Sequence, residues 1–366
     1  MEYTLLKNIA VITMGQSPSS SSYNEEGVGI PFYQGNADFG ELYPTARIWC
    51  DEPKKIANKN DILISVRAPI GALNYATEQC CIGRGLASIT VKDEALRNYV
   101  FHLLKANRNK LINQGSGSTF KAIGKSNLEE IRIPIVDEMT QKKIMNLMDA
   151  TEQTIRQRQI ELQLFDDLIK ARFVELFVGK NYDIVKAGSI IKEMRNGVSP
   201  STSGGHFEKV LTLSAITQGK FDDKAWKEGF FTDCPSTEKR ITEDDFYICR
   251  GNGNKSLVGM GVYALENRPD LVFPDTVIAA HIDTERMVLP YLWIMWQQPE
   301  VRKQLESGAR TTNGTYKINQ KVISKIKIIC PPINEQEVFA DFIKQVDKSK
   351  LSDLLPWKNY SHYLIA

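Results

Sequence analysis

The sequence predicts an α+β protein in which two duplicated α/β domains are separated by long α-helices that form a coiled-coil-like spacer. Two observations support this fold class. The same landmarks recur in the same order in the two halves of the 366-residue chain, and an apolar heptad pattern without proline or glycine lies between them. We therefore predict a first domain at 1–136, a spacer helix at 137–180, a second domain at 181–332 and a shortened C-terminal helix at 333–366.

Six landmarks define the repeat. They are a Gly-x-Ser-Pro-Ser turn at 15–19 and 197–201, an Asp-led apolar segment at 61–67 and 245–250, a Tyr-led apolar segment at 99–104 and 291–296, a Gly/Ser/Thr loop at 115–119 and 308–315, an aromatic–Lys pair at 120–121 and 316–317, and an Ile-x-Ile segment at 131–133 and 326–328. Turn and core chemistry explains each residue type. It does not explain the repeated order, so we interpret the two halves as copies of one domain.

Each copy ends in a predicted strand that leads into a helix. The Ile-x-Ile segments alternate with period two, which is typical of strands. Pro134 follows the first and Pro331 the second, and a helical pattern begins after each.

The first of these helices is long. From about Glu138 to Val178 the chain contains neither proline nor glycine, and some 40 residues of helix would measure about 60 Å. Apolar residues recur every seventh position along it, and a further aromatic residue widens the stripe. We predict that this stripe binds a partner helix through Met148, Ile155, Leu162, Phe165, Ile169 and Leu176. The partner is either another chain, for example in a homodimer, or another part of this one; cover by domain loops is the alternative.

The second helix begins with a similar apolar pattern. This apolar pattern is lost after Lys350, and Pro356 is expected to stop the helix.

Basic and polar side chains cluster near the end of each copy. Residues 301–328 contain seven Lys or Arg against one acidic residue, a local balance of +6, and the equivalent loop of the first copy is rich in Gly and Ser. Cations, hydroxyls and amides of this kind contact phosphates and base edges, although a solvated basic face is the simpler alternative. The candidate DNA-binding residues are Arg67, Ser116, Ser118, Thr119, Lys121, Lys125, Arg250, Asn252, Asn254, Lys255, Arg310, Thr311, Thr312, Asn313, Tyr316 and Lys317.

Other chemistry finds little support. The six cysteines form no C-x-x-C pair and the four histidines are scattered, so we predict no metal site and no disulfide framework. Common nuclease, methyltransferase and hydrolase motifs are missing, and we predict no catalytic residue. No apolar run is long enough for a membrane span, and the start lacks the pattern of a signal peptide, so we expect a cytoplasmic protein.

In its duplicated domains, long helices and polar loops, the chain resembles the specificity subunit of type I restriction-modification systems. The resemblance is most specific at Ile133-Pro134-Ile135 with residues 138–141, and at residues 331–336, where each segment enters a helix. It implies that 1–136 and 181–332 are target recognition domains, each binding one half of a split double-stranded DNA target. It also implies that the two long helices pair antiparallel.

The resemblance further implies partner subunits. Modification subunits would carry S-adenosylmethionine and methylate adenine N6, and restriction subunits with ATP and Mg²⁺ would cleave unmodified DNA, which leaves this chain without a cofactor. Because the loops of the two copies differ, we expect an asymmetric bipartite target. Two other functions remain open at this stage: a nuclease or methyltransferase with an unrecognised site, and a dimeric helical scaffold without sequence-specific DNA binding.

Overall fold

The computed structural model describes residues 2–116, 121–201, 204–312 and 314–360, without the side chains of Thr312 and of residues 351–360. The chain separates into two compact units, Met1–Arg158 and Gln159–Ala366. The division falls inside the long helix. Each unit therefore contains one α/β domain and part of that helix, and the assignment of these domains as target recognition domains stays a prediction.

The first unit consists of short strands with a few helices, and the long helix leaves it at its end. Its strands are β1 (Glu2–Leu5), β2 (Ala10–Met14), β3 (Tyr23–Asn24), β4 (Ile30–Tyr33), β5 (Trp49–Cys50), β6 (Ile56–Ala57), β7 (Ile62–Ser65), β8 (Leu73–Tyr75), β9 (Cys80–Ile82), β10 (Leu86–Val91) and β11 (Arg132–Ile135). Its helices are α1 (Leu6–Ile9), α2 (Arg97–Ala106), α3 (Arg108–Gln114), α4 (Lys125–Glu129) and α5 (Glu138–Phe177), with 3₁₀ turns at Ser20–Ser22, Asn36–Asp38 and Glu94–Leu96.

The second unit repeats this plan with additional strands. Its strands are β12 (Asp183–Lys186), β13 (Ile191–Asn196), β14 (His206–Leu211), β15 (Trp226–Phe231), β16 (Arg240–Ile241), β17 (Asp245–Cys249), β18 (Gly251–Asn252), β19 (Gly261–Tyr263), β20 (Arg268–Val272), β21 (Val277–Ile282), β22 (Arg310–Thr312), β23 (Thr315–Lys317) and β24 (Lys327–Cys330). Its helices are α6 (Ser214–Thr217), α7 (Leu289–Trp296), α8 (Pro299–Gly308), α9 (Gln320–Ile323) and α10 (Ile333–Tyr360), with 3₁₀ turns at Ala187–Ser189, Thr237–Lys239 and Lys255–Leu257.

The sheet topology confirms the duplication. In each unit the first strand pairs antiparallel with the last one, β1 with β11 and β12 with β24. A four-stranded antiparallel sheet forms the centre, with the order β2-β10-β7-β8 in the first unit and β13-β21-β17-β19 in the second. The peripheral sheets differ: β3-β5-β4-β9-β6 in the first unit, and β15-β14-β20-β16 with β18-β23-β22 in the second. One scaffold therefore carries two different outer layers.

A buried aspartate stands at the head of each central strand. Asp61 accepts hydrogen bonds from Asn58 N at 2.9 Å and from Ser88 Oγ at 3.2 Å. Asp245, which has no exposed surface, accepts one from Thr242 Oγ1 at 2.8 Å and is paired with the Arg195 guanidinium. A buried carboxylate is tolerated only with such partners, so both aspartates fix how the central strand enters its sheet.

The corner between the last strand and the long helix also repeats. Gln141 Nε2 donates to Val136 O at 2.8 Å, and Gln336 Nε2 donates to Pro331 O at 2.8 Å. Each contact spans five residues and turns the chain from strand into helix. The predicted passage from strand into helix is therefore confirmed in both copies, with Pro331 placed after β24 as predicted, whereas Pro134 lies inside β11.

The long helices pack against one another in the second unit. Phe173 and Phe177 of α5 lie with ring centroids 5.6 and 5.5 Å from that of Phe339 on α10. Asp166 precedes both phenylalanines on α5, and Lys350 follows Phe339 on α10. Even so, Asp166 Oδ1 lies only 2.6 Å from Lys350 Nζ. The two segments therefore run antiparallel.

This packing accounts for part of the predicted partner stripe. Ile169 is buried in the core of the second unit, where Phe165 and Leu176 also pack. Leu162 lines a neighbouring cavity, whereas Ile155 remains about half exposed and Met148 half-buried. The C-terminal part of the stripe thus finds its partner within the same chain.

The expectation that Pro356 stops the second helix is wrong, because α10 continues to Tyr360. An interior proline removes one N–H donor and crowds the preceding turn, which can bend a helix without ending it. Within the described residues, no helix combines the length and the apolar content needed to cross a bilayer.

Candidate nucleic-acid interface

In the second unit, two distant segments with candidate DNA-binding residues meet in one small antiparallel sheet. β23 pairs with β18 on one side and with β22 on the other. Lys317 lies opposite Gly251 and Arg310, and Tyr316 lies opposite Asn252 and Thr311. Because directly opposed residues share a face and successive residues alternate, the candidates divide between two faces.

One face is cationic. Lys317 and Arg310 are opposite one another and both are exposed. Gly251 lies next to Lys317, since a side-chain carbon built on it would be in van der Waals contact with Lys317 Cγ, at 3.4 Å. The aliphatic stem of Lys317 therefore extends over the glycine, and two positive charges are presented together to solvent. A face of this kind attracts phosphate.

The other face is mixed. Thr311 is exposed and Asn252 is half-buried, but the ring of Tyr316 packs against the hydrophobic core of the unit. Tyr316 therefore contributes mainly to folding. Asn313 lies outside the described residues, and the side chain of Thr312 is not described.

The turn after β18 uses its asparagines to hold its own backbone. Asn252 Oδ1 accepts a hydrogen bond from Asn254 N at 2.8 Å. Asn254 Oδ1 accepts two, from Ser256 N at 3.0 Å and from Ser256 Oγ at 2.9 Å. A carbonyl oxygen has two lone pairs, so Asn254 has none left for an adenine edge, whereas Asn252 keeps one. The exposed Lys255 lies within this turn.

Arg302, which contributes to the basic balance of this region, has a structural role. Its Nη2 donates to Ser256 O at 2.8 Å and to Val258 O at 2.9 Å. Burial lowers the pKa of this guanidinium from its ordinary value. The high positive charge of residues 301–328 is therefore not all on one surface.

The β18–β23–β22 sheet with its turn forms the polar edge of the second unit. The first unit has a similar edge built from three segments. Ala122 forms β-bridges with Arg67 on one side and with Ser116 on the other. Arg67, Ser116 and Lys121 are exposed there. Lys125 is also exposed and begins α4, where its Nζ lies 3.6 Å from Glu129 Oε1. Ser118 and Thr119 lie outside the described residues.

The hydrogen-bond register corrects two residue pairings that the sequence favours. Ile123 N donates to Val66 O at 2.9 Å, and Ile318 N donates to Arg250 O at 2.8 Å. Val66 therefore corresponds to Arg250, and Arg67 corresponds to the next residue, Gly251. By the same register Lys121 corresponds to Tyr316 and not to Lys317. The sequence comparison pairs Arg67 with Arg250 and Lys121 with Lys317 because their residue types agree, and this places each pair one position out of register. A shift of one residue moves a side chain to the other face of a strand.

Sequence reasoning missed one exposed cation at this edge, Arg84. It lies between Gly83 and Gly85, directly before β10. Its backbone N donates to Ser17 Oγ at 3.4 Å, and Gly85 O accepts from Val66 N at 2.9 Å. The Gly-x-Ser-Pro turn and the end of the central strand thus meet at Arg84. The available signal was an arginine between two glycines after a buried apolar segment.

Four of the six cysteines, Cys50, Cys80, Cys81 and Cys249, are buried. Cys249 is buried, and burial raises the pKa of its thiol to about 11. The same cause raises the pKa of Cys81 to about 11. Among the described residues, no group of three or more His, Cys, Asp or Glu side chains is placed to hold a metal ion.

Fold and edges together define a class of protein: a tandem of two related α/β domains, each with an exposed basic edge and each leading into a long helix. Residues 1–164 and 291–354 match the family model for the type I restriction modification DNA specificity domain, and the chain belongs to that family.

Individual relatives match parts of the chain. The MjaX specificity subunit of a type I restriction enzyme from Methanocaldococcus jannaschii is 43% identical over 170 residues, which are 46% of this chain and 40% of that protein. The MjaIX specificity subunit from the same organism is 27% identical over 207 residues, 52% of this chain and 48% of that protein. The chain thus spans about half the length of these curated relatives. The HsdS subunit from Thermoanaerobacter tengcongensis, a solved structure, is 42% identical and covers 42% of this chain and 38% of that one, with a TM-score of 0.39.

Proposed function

We propose that this protein is the DNA sequence-specificity subunit of a type I restriction-modification complex. It reads an asymmetric bipartite target and positions that DNA for adenine N6 methylation by modification subunits and for cleavage by restriction subunits. One observation carries the proposal: both units share the same central sheet and the same turn from the last strand into a long helix, but their polar edges differ. The family membership of the chain points to the same function.

The edges suggest how reading works. Arg310 and Lys317 in the second unit, and Arg67 and Lys121 in the first, are exposed cations that can bind phosphates and fix the register of each domain on the duplex. Neighbouring side chains differ between the copies, so each domain reads a different half-target. An asymmetric target is the consequence of one scaffold carrying two dissimilar edges.

The chain itself acts without catalysis in this proposal. S-adenosylmethionine, ATP and Mg²⁺ are bound by the partner subunits, and the modification subunit takes the adenine out of the base stack for methylation. The long helices α5 and α10 provide the surface for the modification subunits, through the parts of the stripe that remain exposed, such as Ile155. The complex works on double-stranded DNA in the cytoplasm.

Reconstitution tests the proposal. The chain, its cognate modification subunit and labelled S-adenosylmethionine are combined with double-stranded DNA, and each protein is also assayed alone. We expect site-specific adenine methylation only with both proteins, and no S-adenosylmethionine binding by the chain alone. Methyl transfer or cofactor binding by the isolated chain would instead support an enzyme. An assembled complex that binds DNA without sequence preference would support a scaffold.

A further inference from the structure

The turn at Gly83–Gly85 holds Arg84 in a defined position. A side-chain carbon on Gly83 would lie 3.0 Å from Gln34 Cα, and one on Gly85 would collide with the Gln34 carbonyl. Gly83 N donates to Tyr33 O at 2.8 Å, and Gly85 N donates to Gln34 O at 3.1 Å. A side chain at position 85 would therefore collide with backbone and one at position 83 would be crowded by it, and the two hydrogen bonds hold the turn in place while the arginine side chain is exposed.

Arg84 belongs to the candidate interface of the first unit. Gly85 is hydrogen-bonded to Val66, and the next residue, Arg67, forms the β-bridge to Ala122. Within the described part of the chain, the guanidinium of Arg84 forms no ion pair with an acidic side chain, unlike Lys125 of the same edge, whose Nζ lies 3.6 Å from Glu129 Oε1. Its five donors are therefore free to meet a ligand.

The second unit has an acid at the equivalent position. Arg250 N donates to Thr276 O at 2.8 Å, just as Val66 N donates to Gly85 O, so Thr276 corresponds to Gly85 and Asp275 corresponds to Arg84. The Asp275 carboxylate is exposed, while its backbone carbonyl accepts from Arg250 Nη1 at 3.0 Å. One place in the duplicated scaffold thus presents donors in the first copy and acceptors in the second.

We propose that Arg84 and Asp275 are equivalent specificity-determining residues, each reading one base pair of its own half-target. This inference rests on the proposed function. An arginine donates two hydrogen bonds to guanine O6 and N7, whereas a carboxylate accepts from the amino group of cytosine. A phosphate contact common to both domains would require a cation in both copies, and Asp275 is an anion that phosphate repels. Opposite hydrogen-bonding character at one position is what two different half-targets require.

The test replaces each residue in the chain assembled with its cognate modification subunit and maps the methylated motif. In Arg84→Ala, discrimination at one position of one half-target should fall on the order of 5- to 150-fold, with the other half unchanged. Asp275→Ala should relax one position in the other half only. Arg84→Lys should retain less discrimination than arginine, because an ammonium group lacks the fixed fork of donors.

Other outcomes count against the inference. If Arg84→Ala weakens binding equally on all sequences and flattens the salt dependence, Arg84 contacts phosphate and the inference is wrong. An unchanged motif with unchanged affinity is equally contrary to it. Thermal unfolding of each variant should match that of the parent, since both side chains are exposed. If the parent complex itself produces no split motif, the proposed function fails, and that result is distinct from a parent motif that the variants leave intact.

Discussion

Lys317 provides a quantitative test of phosphate binding by the second unit. Its side chain is exposed on the same face as Arg310, and its stem extends over Gly251. The substitution Lys317→Gln removes the charge and leaves the backbone pairing of β23 intact. We expect weaker DNA binding and a weaker dependence of that binding on salt.

The magnitude follows from counterion release. Each phosphate neutralised in B-DNA contributes about 0.9 to the slope of log affinity against log salt. If Lys317→Gln loses one such contact, the ratio of parent affinity to variant affinity should fall about 3.5-fold when the salt is raised from about 50 to about 200 mM. The double variant Arg310→Gln, Lys317→Gln should lose about twice that slope. Fluorescence anisotropy with a target duplex, bound by the assembled complex at several salt concentrations, measures both values.

The matched control is Lys192→Gln. Lys192 is an exposed lysine of the same unit, located on β13 and paired with Asp283 at 3.2 Å. Its loss changes the net charge equally but removes no residue of the edge and none of the long helices. If Lys317→Gln and Lys192→Gln have the same slope as the parent, the assignment of a phosphate contact to Lys317 is refuted.

Three further predictions concern stability and reactivity. Phe173→Ala should leave a cavity in the buried aromatic cluster and destabilise the second unit by about 3–5 kcal/mol. Denaturant unfolding followed through the buried Trp296 measures this loss. An unchanged unfolding midpoint would contradict the packing. The hydrogen bonds from Arg240 lower the pKa of Glu208 below its ordinary value, so the pair stabilises the fold above that ordinary pKa and the contribution is lost as pH falls through the lowered one. Glu208→Gln should therefore cost about 2 kcal/mol at pH 7, and its stability should converge with that of the parent in acid; a constant difference would argue against the pairing. Cys249 should resist alkylation at pH 8 until the unit unfolds, because its thiol is buried with a pKa of about 11, and rapid modification of the native protein at this residue, read by peptide mass spectrometry, would be inconsistent with that burial.

The repeated parts of the fold could be predicted because their residues are local signals. The Ile-x-Ile segments became β11 and β24, and the region between the copies became the 40-residue helix α5. Period, proline and glycine are sufficient for such elements. The order of strands in the sheets was beyond this reasoning, because pairing joins segments far apart in the chain.

The candidate site was predicted in composition but not in arrangement. The sequence places Asn252 and Lys317 in polar segments 65 positions apart, and only the β18–β23 pairing reveals that they are neighbours on opposite faces. Arg84 was missed because a single arginine has no period, and its one signal, the flanking Gly83 and Gly85, is not a recognised motif. Asn254 was chosen for its residue type, although its oxygen is used within the turn.

The expected end of the second helix shows the limit of a local rule. Proline weakens a helix at one position, but α10 is stabilised by packing earlier along its length, where Phe339 and Ile343 are buried. Tertiary packing can outweigh the propensity of a single residue.

The central claim is that the two domains read the two halves of one split target. It is tested most directly by mapping N6-methyladenine across a genome in cells that express this chain with its cognate modification subunit, and by repeating the map after residues 181–332 are exchanged for the second domain of another family member. We predict a split motif in which one half changes on exchange and the other half stays the same. A motif that changes in both halves, or one that the exchange leaves unaltered, would contradict the two-reader account.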